Sequence, residues 1–363
     1  MARCTPSSRA RRAAACALLC VVAGCPAGSP VQLDAGRQAD RGTGDGAVDE
    51  TVPTSYPWVT TYAGSTCPGE YRDGPRLQAV LDPHQLALGP KGRLYVAGTG
   101  GVRRVDSAKV TTLVKWAAVP SSADGIGVTA TGEVLVARYD LVARVSGGKL
   151  VTVAGKRGDR RHVDGPAAAA RFERINGVWL DAATSDLYIL DHTYVRVLRG
   201  GSVSTVSGMP GRTPNGWPVD GPVASARFRY PLSAVKVGDV LYVGDKSWLR
   251  KIEHGEVTTL SAGTGAPKLV DGPIDMAQFG RIWSLAHWAG IIYMVDRAND
   301  RIRSVESGIV SSVTTGSEGL EDGPVASARF GNPLHVVADA SGNLYVADGG
   351  HNCRIRYIDF GRP

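Results

Sequence analysis

The chain carries seven histidines and six cysteines in 363 residues, and a zinc or general-base centre would need about three such groups brought together. His84, His192, His254, His287 and His351 share no ligand-pair spacing, and His162 stands in a His-Val-Asp-Gly stretch that reads as a loop. Gly-x-Ser-x-Gly, His-Glu-x-x-His and Cys-x-x-Cys are all absent, so the common hydrolase, metalloprotease and redox signatures are missing. Gly98 to Gly101 joins two strand-like runs, whereas a phosphate loop joins a strand to a helix. Two features remain. One is a set of aligned positions, each two residues beyond a proline or its equivalent: Gln85, Gly125, Gly177, Ser233, Ser284 and His335. The other is the basic stretch Lys156 to His162, KRGDRRH, with Arg157, Arg160 and Arg161, a solvated loop or a docking surface for an anionic or acidic partner.

The aligned positions belong to a repeat. Its last copy reads DGPVASARFGNPLHVVADASGNLYVADGGHNCRIRYID, from Asp322 to Asp359. Two short apolar runs flank an Ala-Ser-Gly turn, and an alternating run, Arg354 to Ile358, follows, which is strand patterning. The inner pairs end in triplets centred on Tyr95, Leu135, Tyr188, Tyr242, Tyr293 and Tyr345, spaced 40, 53, 54, 51 and 52 residues apart. A Val/Thr/Ser run closes each unit, as in LVTVAG from Leu150 to Gly155. Four strands at this period make a propeller blade.

The sixth unit lacks its closing run, and the missing run stands ahead of the first unit as WVTTYAG, Trp58 to Gly64. The chain is therefore read as an all-β, six-bladed β-propeller over 57–363, its amino-terminal strand completing the last blade. Cys353 opens the third strand of that blade, and Cys67 lies three residues beyond the strand expected beside it. A Cys67–Cys353 disulfide across the closure follows, and it implies an oxidising compartment.

Residues 1–24 stand apart. Arg3, Arg9, Arg11 and Arg12 precede an apolar run from Ala13 to Gly24, the length of a secretory signal and too short to span a bilayer. Val22-Ala23-Gly24-Cys25 resembles the lipobox of bacterial lipoproteins. The resemblance implies that Cys25 becomes a lipidated amino terminus, the chain's only membrane contact. Residues 25–56, rich in Asp, Gly, Thr and Pro, read as a disordered tether spanning roughly 30 Å. Removing 1–24 takes away four of the 41 basic residues and none of the 34 acidic ones, leaving a net charge of +3. Nucleic-acid binding gains little from so small a charge.

The run of DGPxxxARF, Pro-x-x-V-V-A-D, GNLYVAD and N-x-R-I-R resembles the NHL repeat and covers Trp58 to Ile358. DGP occurs at Asp73, Asp164, Asp220, Asp271 and Asp322, five units of six, where its bottom-up reading is a turn device. Four units place Asp after the second strand (Asp191, Asp245, Asp296, Asp348), and five place Arg in the third (Arg103, Arg196, Arg250, Arg303, Arg356). These read as structural. Zinc lyases of the NHL type hold metal through several channel histidines, whereas His335 is alone in the aligned ring. Gluconolactonase-like propellers hold a divalent ion through Glu, Asn and Asp. Here Asn176, Asp124 and Asn332 lie near the matching strand starts with no glutamate in the ring. No cofactor is therefore expected.

The function this points to is a monomeric, exported binding module that docks a protein or polysaccharide in the bacterial cell envelope. The alternative is a hydrolase or lyase with a channel-mouth active site. The expected binding face carries Arg76, Arg174, Arg229 and Arg281 with His192, Lys246, Arg297 and His351; Asn176 and the aligned ring line the channel.

Overall fold

The computed structural model describes residues 57–67, 70–116, 122–211, 214–263 and 268–362. The expected signal segment, the tether and Cys25 lie outside them. The described residues form six antiparallel sheets. The innermost strands are Pro83–Leu88, Gly125–Val128, Ile175–Leu180, Pro231–Val237, Ile282–Trp288 and His335–Ala338, for blades one to six in turn. Each packs against the next, and the sixth packs against the first. The fold is a six-bladed β-propeller.

Closure occurs where the sequence places it. Trp58–Ala63 lies antiparallel to Arg354–Asp359, with Val59 opposite Ile358 and Thr61 opposite Arg356. Cys67 and Cys353 are disulfide-bonded across 286 residues of sequence. Six buried apolar clusters lie among the described residues, each shared by two neighbouring blades. One of them joins Ala63, Ala347 and Ile355 of blade six to Leu81, Leu86 and Leu94 of blade one, so the ring has no seam without a core.

The Asp-Gly-Pro tripeptide does more than turn the chain. In five blades its Gly-Pro pairs as a two-residue strand on the outermost strand of the blade it leads into, as Gly323 and Pro324 do with Val59 and Trp58. Blade two lacks the tripeptide and has four strands. The added pair covers part of an otherwise open sheet edge. Its Asp side chain then reaches back: Asp220 accepts from the Thr259 N–H and hydroxyl, and Asp322 from the Thr61 N–H.

The repeated arginines tie these parts together. Arg196, Arg250, Arg303 and Arg356 are fully buried. Each lies 2.5–2.8 Å from the tripeptide Asp of its blade and 2.9–3.4 Å from the Asp that ends the second strand. Each also donates to two backbone carbonyls, as Arg303 does to Gln278 and Val270. Beneath the guanidinium sits a buried phenylalanine, Phe172, Phe228, Phe279 or Phe330, at 4.5–4.9 Å, from the helical turn that follows Gly-Pro. Blade one departs from this pattern: Leu81 takes the place of Phe, and Arg103 has only Asp73, at 3.4 Å.

Two expectations follow. Asp296→Ala would leave the Gly280 and Arg281 N–H groups without their acceptor and Arg303 with only the part-exposed Asp271. Urea unfolding should show a loss of about 3–5 kcal/mol, and a loss under about 1 kcal/mol would mean that the carboxylate is replaceable by solvent. Replacing Cys67 and Cys353 with serine together should lower stability by about 2–4 kcal/mol, read the same way, and an unchanged midpoint would show that strand pairing alone holds the closure.

Candidate binding site at the channel mouth

The Asp that ends each second strand builds the mouth as well as the blade. Asp191 accepts the Arg174 N–H at 2.8 Å, Asp245 those of Arg229 and Tyr230 at 3.0 and 2.6 Å, and Asp296 that of Arg281 at 2.9 Å. The loop after the second strand bonds back to the same segment. His192 donates to Arg174, Lys246 to Tyr230, Arg297 to Arg281 and His351 to Gly331, all through backbone N–H. The two loops of blades three to six are thus zipped together, which puts Arg174, Arg229 and Arg281 on one face with His192, Lys246, Arg297 and His351, as expected. Arg76 is placed elsewhere, its N–H on the Ala108 carbonyl of the hairpin between the third and fourth strands and its guanidinium 4.2 Å from the Tyr62 ring centre.

That face holds a basin of about 360 Å³ at the channel end, lined by Asp82, His84, Gln85, Asp124, Asn176, Trp283, Arg297, Asn332 and Leu334 among others. Asp82 accepts from the Thr99 hydroxyl at 2.7 Å and faces His84 Nε2 at 3.3 Å. Burial alone would raise its carboxyl, but the His84 and Thr99 contacts prevail and hold it below the ordinary range. Asp124 goes the other way: burial raises it despite the Tyr139 N–H bond at 2.6 Å and the nearby Arg174 and Arg138. Asn176 donates to the His192 and Pro231 carbonyls, while its Oδ1 is buried without a partner.

The aligned ring falls one residue away from the basin's lining. Strand pairing skips a residue between Pro83 and Gln85, Ile175 and Gly177, Pro231 and Ser233, and Ile282 and Ser284. Such a bulge re-aims side chains. The skipped residues His84, Asn176 and Trp283 line the basin, joined by Asp124 and Leu334 from the equivalent places in blades two and six. Of the ring itself, only Gln85 does so. Ser233 and Ser284 serve as interblade ties, their hydroxyls accepting the Leu285 N–H at 2.9 Å and the Val336 N–H at 3.2 Å, and Ser233 also lines the deeper channel cavity. Gly177 leaves no room for a side chain, since a Cβ there would meet the Leu232 carbonyl at 2.1 Å.

His335 lies deeper, in a channel cavity of about 230 Å³ lined mostly by apolar residues of all six innermost strands, Leu86, Ile126, Val178, Ala234, Leu285 and Val336 among them. Its Nδ1 has no partner. The basic loop is partly neutralised from within: Arg161 and Arg171 both pair with Asp159, at 2.6 and 2.8 Å, and Arg160 lies 3.8 Å from Asp140. Arg157 has no such ion pair and adds to the positive field around Arg138. His351 pairs with exposed Glu318. Among the described residues no three His, Cys, Asp or Glu side chains are grouped to hold a metal ion. The lining offers hydrogen bonds, one aromatic ring and opposed charges, a set suited to holding a polar ligand.

The chain matches no family model, and no curated protein. Solved structures do match. An auxiliary nutrient binding protein from Bacteroides thetaiotaomicron VPI-5482 superposes with a TM-score of 0.62 at 16% identity, covering 84% of this chain and 76% of its own. A structural genomics protein of the same organism gives 0.63 at 19% identity, with 84% and 76% covered. An auxiliary nutrient binding protein from Bacteroides ovatus ATCC 8483 gives 0.61 at 17%, with 83% and 76% covered. At these identities the likeness is one of fold.

His335 provides a pH test. Its surroundings hold the imidazole down at about 4, because burial disfavours the cation, while in an unfolded chain it titrates near about 6.5. Between those values the unfolded chain binds a proton that the folded one does not, so stability falls as pH drops through that window. His335→Leu removes this term. Its stability relative to wild type should rise by about 2 kcal/mol from roughly pH 7.5 to roughly pH 4.5, read by urea unfolding at each pH; a constant difference would place the ring in solvent.

Proposed function

We propose that the chain is an exported binding module, lipid-anchored at Cys25 in the cell envelope, whose NHL-like propeller holds a polysaccharide or protein ligand at the loop-rich face. The observation that carries this reading is the basin at the channel mouth: a preformed pocket with amides, an aromatic ring and the buried, partnerless Asn176 Oδ1. The fold neighbours that bear the name auxiliary nutrient binding protein support a ligand-holding role. The lipobox-like Val22 to Cys25 supports anchoring, and residues 25–56 would hold the face clear of the bilayer.

A second reading, a propeller hydrolase or lyase, has one observation in its favour. Asp124 is a mouth carboxyl raised by burial, and a raised carboxyl is suited to general acid–base work. The two readings separate on turnover: in the enzyme reading a lactone substrate is consumed and Asp124→Asn abolishes its consumption, and in the binding reading the wild-type chain retains ligand and consumes no lactone.

The proposal is tested in two parts. Metabolic labelling with palmitate should mark the wild-type chain and not Cys25→Ser, and the variant should move from membrane to soluble fractions. Retention of the purified protein on immobilised envelope polysaccharide or envelope protein should fall about tenfold in Asn176→Leu and Trp283→Ala. If those variants bind normally while a variant with Lys156, Arg157, Arg160 and Arg161 changed to serine does not, the ligand sits on the outer loop and the basin assignment fails.

A further inference from the structure

Every fully buried arginine of the blades is matched by carboxylates. On the mouth face Arg229, Arg281 and Arg297 are not. Among the described residues, no Asp or Glu forms an ion pair with Arg229, Arg281 or Arg297, and the buried Nε of Arg281 has no hydrogen-bond partner at all. Aromatic rings hold them instead. Arg229 lies 5.8 Å from the Trp248 ring centre, Arg281 lies 5.5 Å from Tyr230 and 4.6 Å from Trp283, and Arg297 lies 4.0 Å from Trp283. Backbone bonds join the rungs, since Lys246 donates to the Tyr230 carbonyl and Ile282 to that of Lys246.

The arrangement leaves charge unbalanced. Burial pushes the guanidiniums of Arg281 and Arg297 below their usual range, and the repulsion between them adds to this at Arg297. Asp300, the acid whose charge Arg297 feels, accepts the Asn332 N–H at 2.8 Å, and burial raises it. Arg229 gives one N–H to the Gly216 carbonyl at 2.6 Å, and Arg297 gives its Nε–H to Asn332. A ring beneath a guanidinium recovers part of the cost, about 0.5–2 kcal/mol, and fixes the plane of its N–H fork. A planar fork held without a counter-ion is preorganised for a carboxylate.

We propose that this ladder, running from Trp248 past Arg229 and Arg281 to Arg297 at the basin, binds the carboxylates of an acidic polysaccharide built from uronate residues. The inference rests on the binding-module reading and names its ligand class. A polyuronate repeats one carboxylate per sugar beside hydroxyls, matching guanidiniums flanked around the ring by the mouth amides of Asn176 and Asn332. At the outer end Trp217, 50% exposed and 5.5 Å from Trp248, offers a ring for a sugar face. Nucleic acid fits less well, because the inner rings already lie against guanidiniums and are not free to stack on bases.

The test is calorimetric titration of the purified full chain with hexagalacturonate, its fully methyl-esterified form, a neutral glucose hexamer and poly-glutamate. Hexagalacturonate should bind, the methyl ester should not, and added salt should weaken binding. Arg281→Gln and Arg297→Gln should each lower affinity about tenfold, with Arg281→Lys intermediate. Arg199→Gln, which breaks a pair with Asp186 on a third-strand hairpin, should have no effect, and circular dichroism checks that each variant folds. Equal binding of the methyl ester, unchanged affinity in the Gln variants, or tighter binding of poly-glutamate would overturn the proposal. If the glucose hexamer binds at the basin and hexagalacturonate does not, the uronate inference falls and the binding-module reading stands; if no saccharide and no envelope protein binds, both fall.

Discussion

The pairing of Trp58–Ala63 with Arg354–Asp359 is the constraint from which the remainder of the molecule follows. In an open array each sheet would bury its two faces against neighbours except at the ends, where two apolar faces would meet water. Here the end blade is assembled from both extremities of the folded part. Withdraw Trp58–Ala63, and Asp322 loses the Thr61 N–H, Gly323 and Pro324 lose their pairing strand, and the Ala63 side of the cluster shared with Leu81 and Leu86 is exposed. The contact is also the most non-local in the chain, so its loop-closure entropy weighs on folding. A disulfide beside it acts on the unfolded chain, where that entropy resides.

Within the ring, guanidinium chemistry is used in two opposite ways. Arg196, Arg250, Arg303 and Arg356 sit in sealed sites where two carboxylates, two carbonyls and a phenylalanine satisfy the charge, so these side chains have no capacity left for a ligand. Arg229, Arg281 and Arg297 have rings and amides around them and, among the described residues, no carboxylate at ion-pair distance, Asp300 acting on Arg297 only from farther off. Burying a charge without a counter-ion lowers stability, and nothing in the blade geometry requires it, since neighbouring arginines in the same repeat are neutralised. The imbalance makes sense only for a partner that supplies the anion.

Much of the architecture was legible from residue spacing because the repeat is periodic and the strands alternate, which are local signals. The triplets around Tyr95 to Tyr345 gave the blade count, and the orphan run at Trp58 gave the closure. The Gly-Pro edge strand was not legible, because its pairing partner lies some 35 residues away in blades one, three, four and five, at positions such as Val110 and Val203, and two residues carry no periodicity. The site was offset by one residue for a similar reason. A bulge adds one residue to a strand without changing its composition, so alignment on proline found Gln85, Ser233 and Ser284 and passed over His84 and Trp283, while Asn176 came in as a polar residue at a strand start. Asp82 was reached only through tertiary contacts, whereas Arg297 was placed on this face by its loop after the second strand.

The offset itself says where function resides. Residues that recur in blades three to six, the Asp after the second strand, the buried Arg and the Phe beneath it, build the contacts that hold those blades, and a change at any of them damages packing. The residues at the bulge and its equivalents are His84, Asp124, Asn176, Leu232, Trp283 and Leu334, different in kind from blade to blade. Bulging takes their side chains out of the sheet's alternation and turns most of them to the basin, although Trp283 also packs against the core shared by blades five and six. In a structure made by repetition, the positions that do not repeat are those freed from building it. The only indole in that set is Trp283, and two of the three arginines that lack an ion pair, Arg281 and Arg297, lie against it.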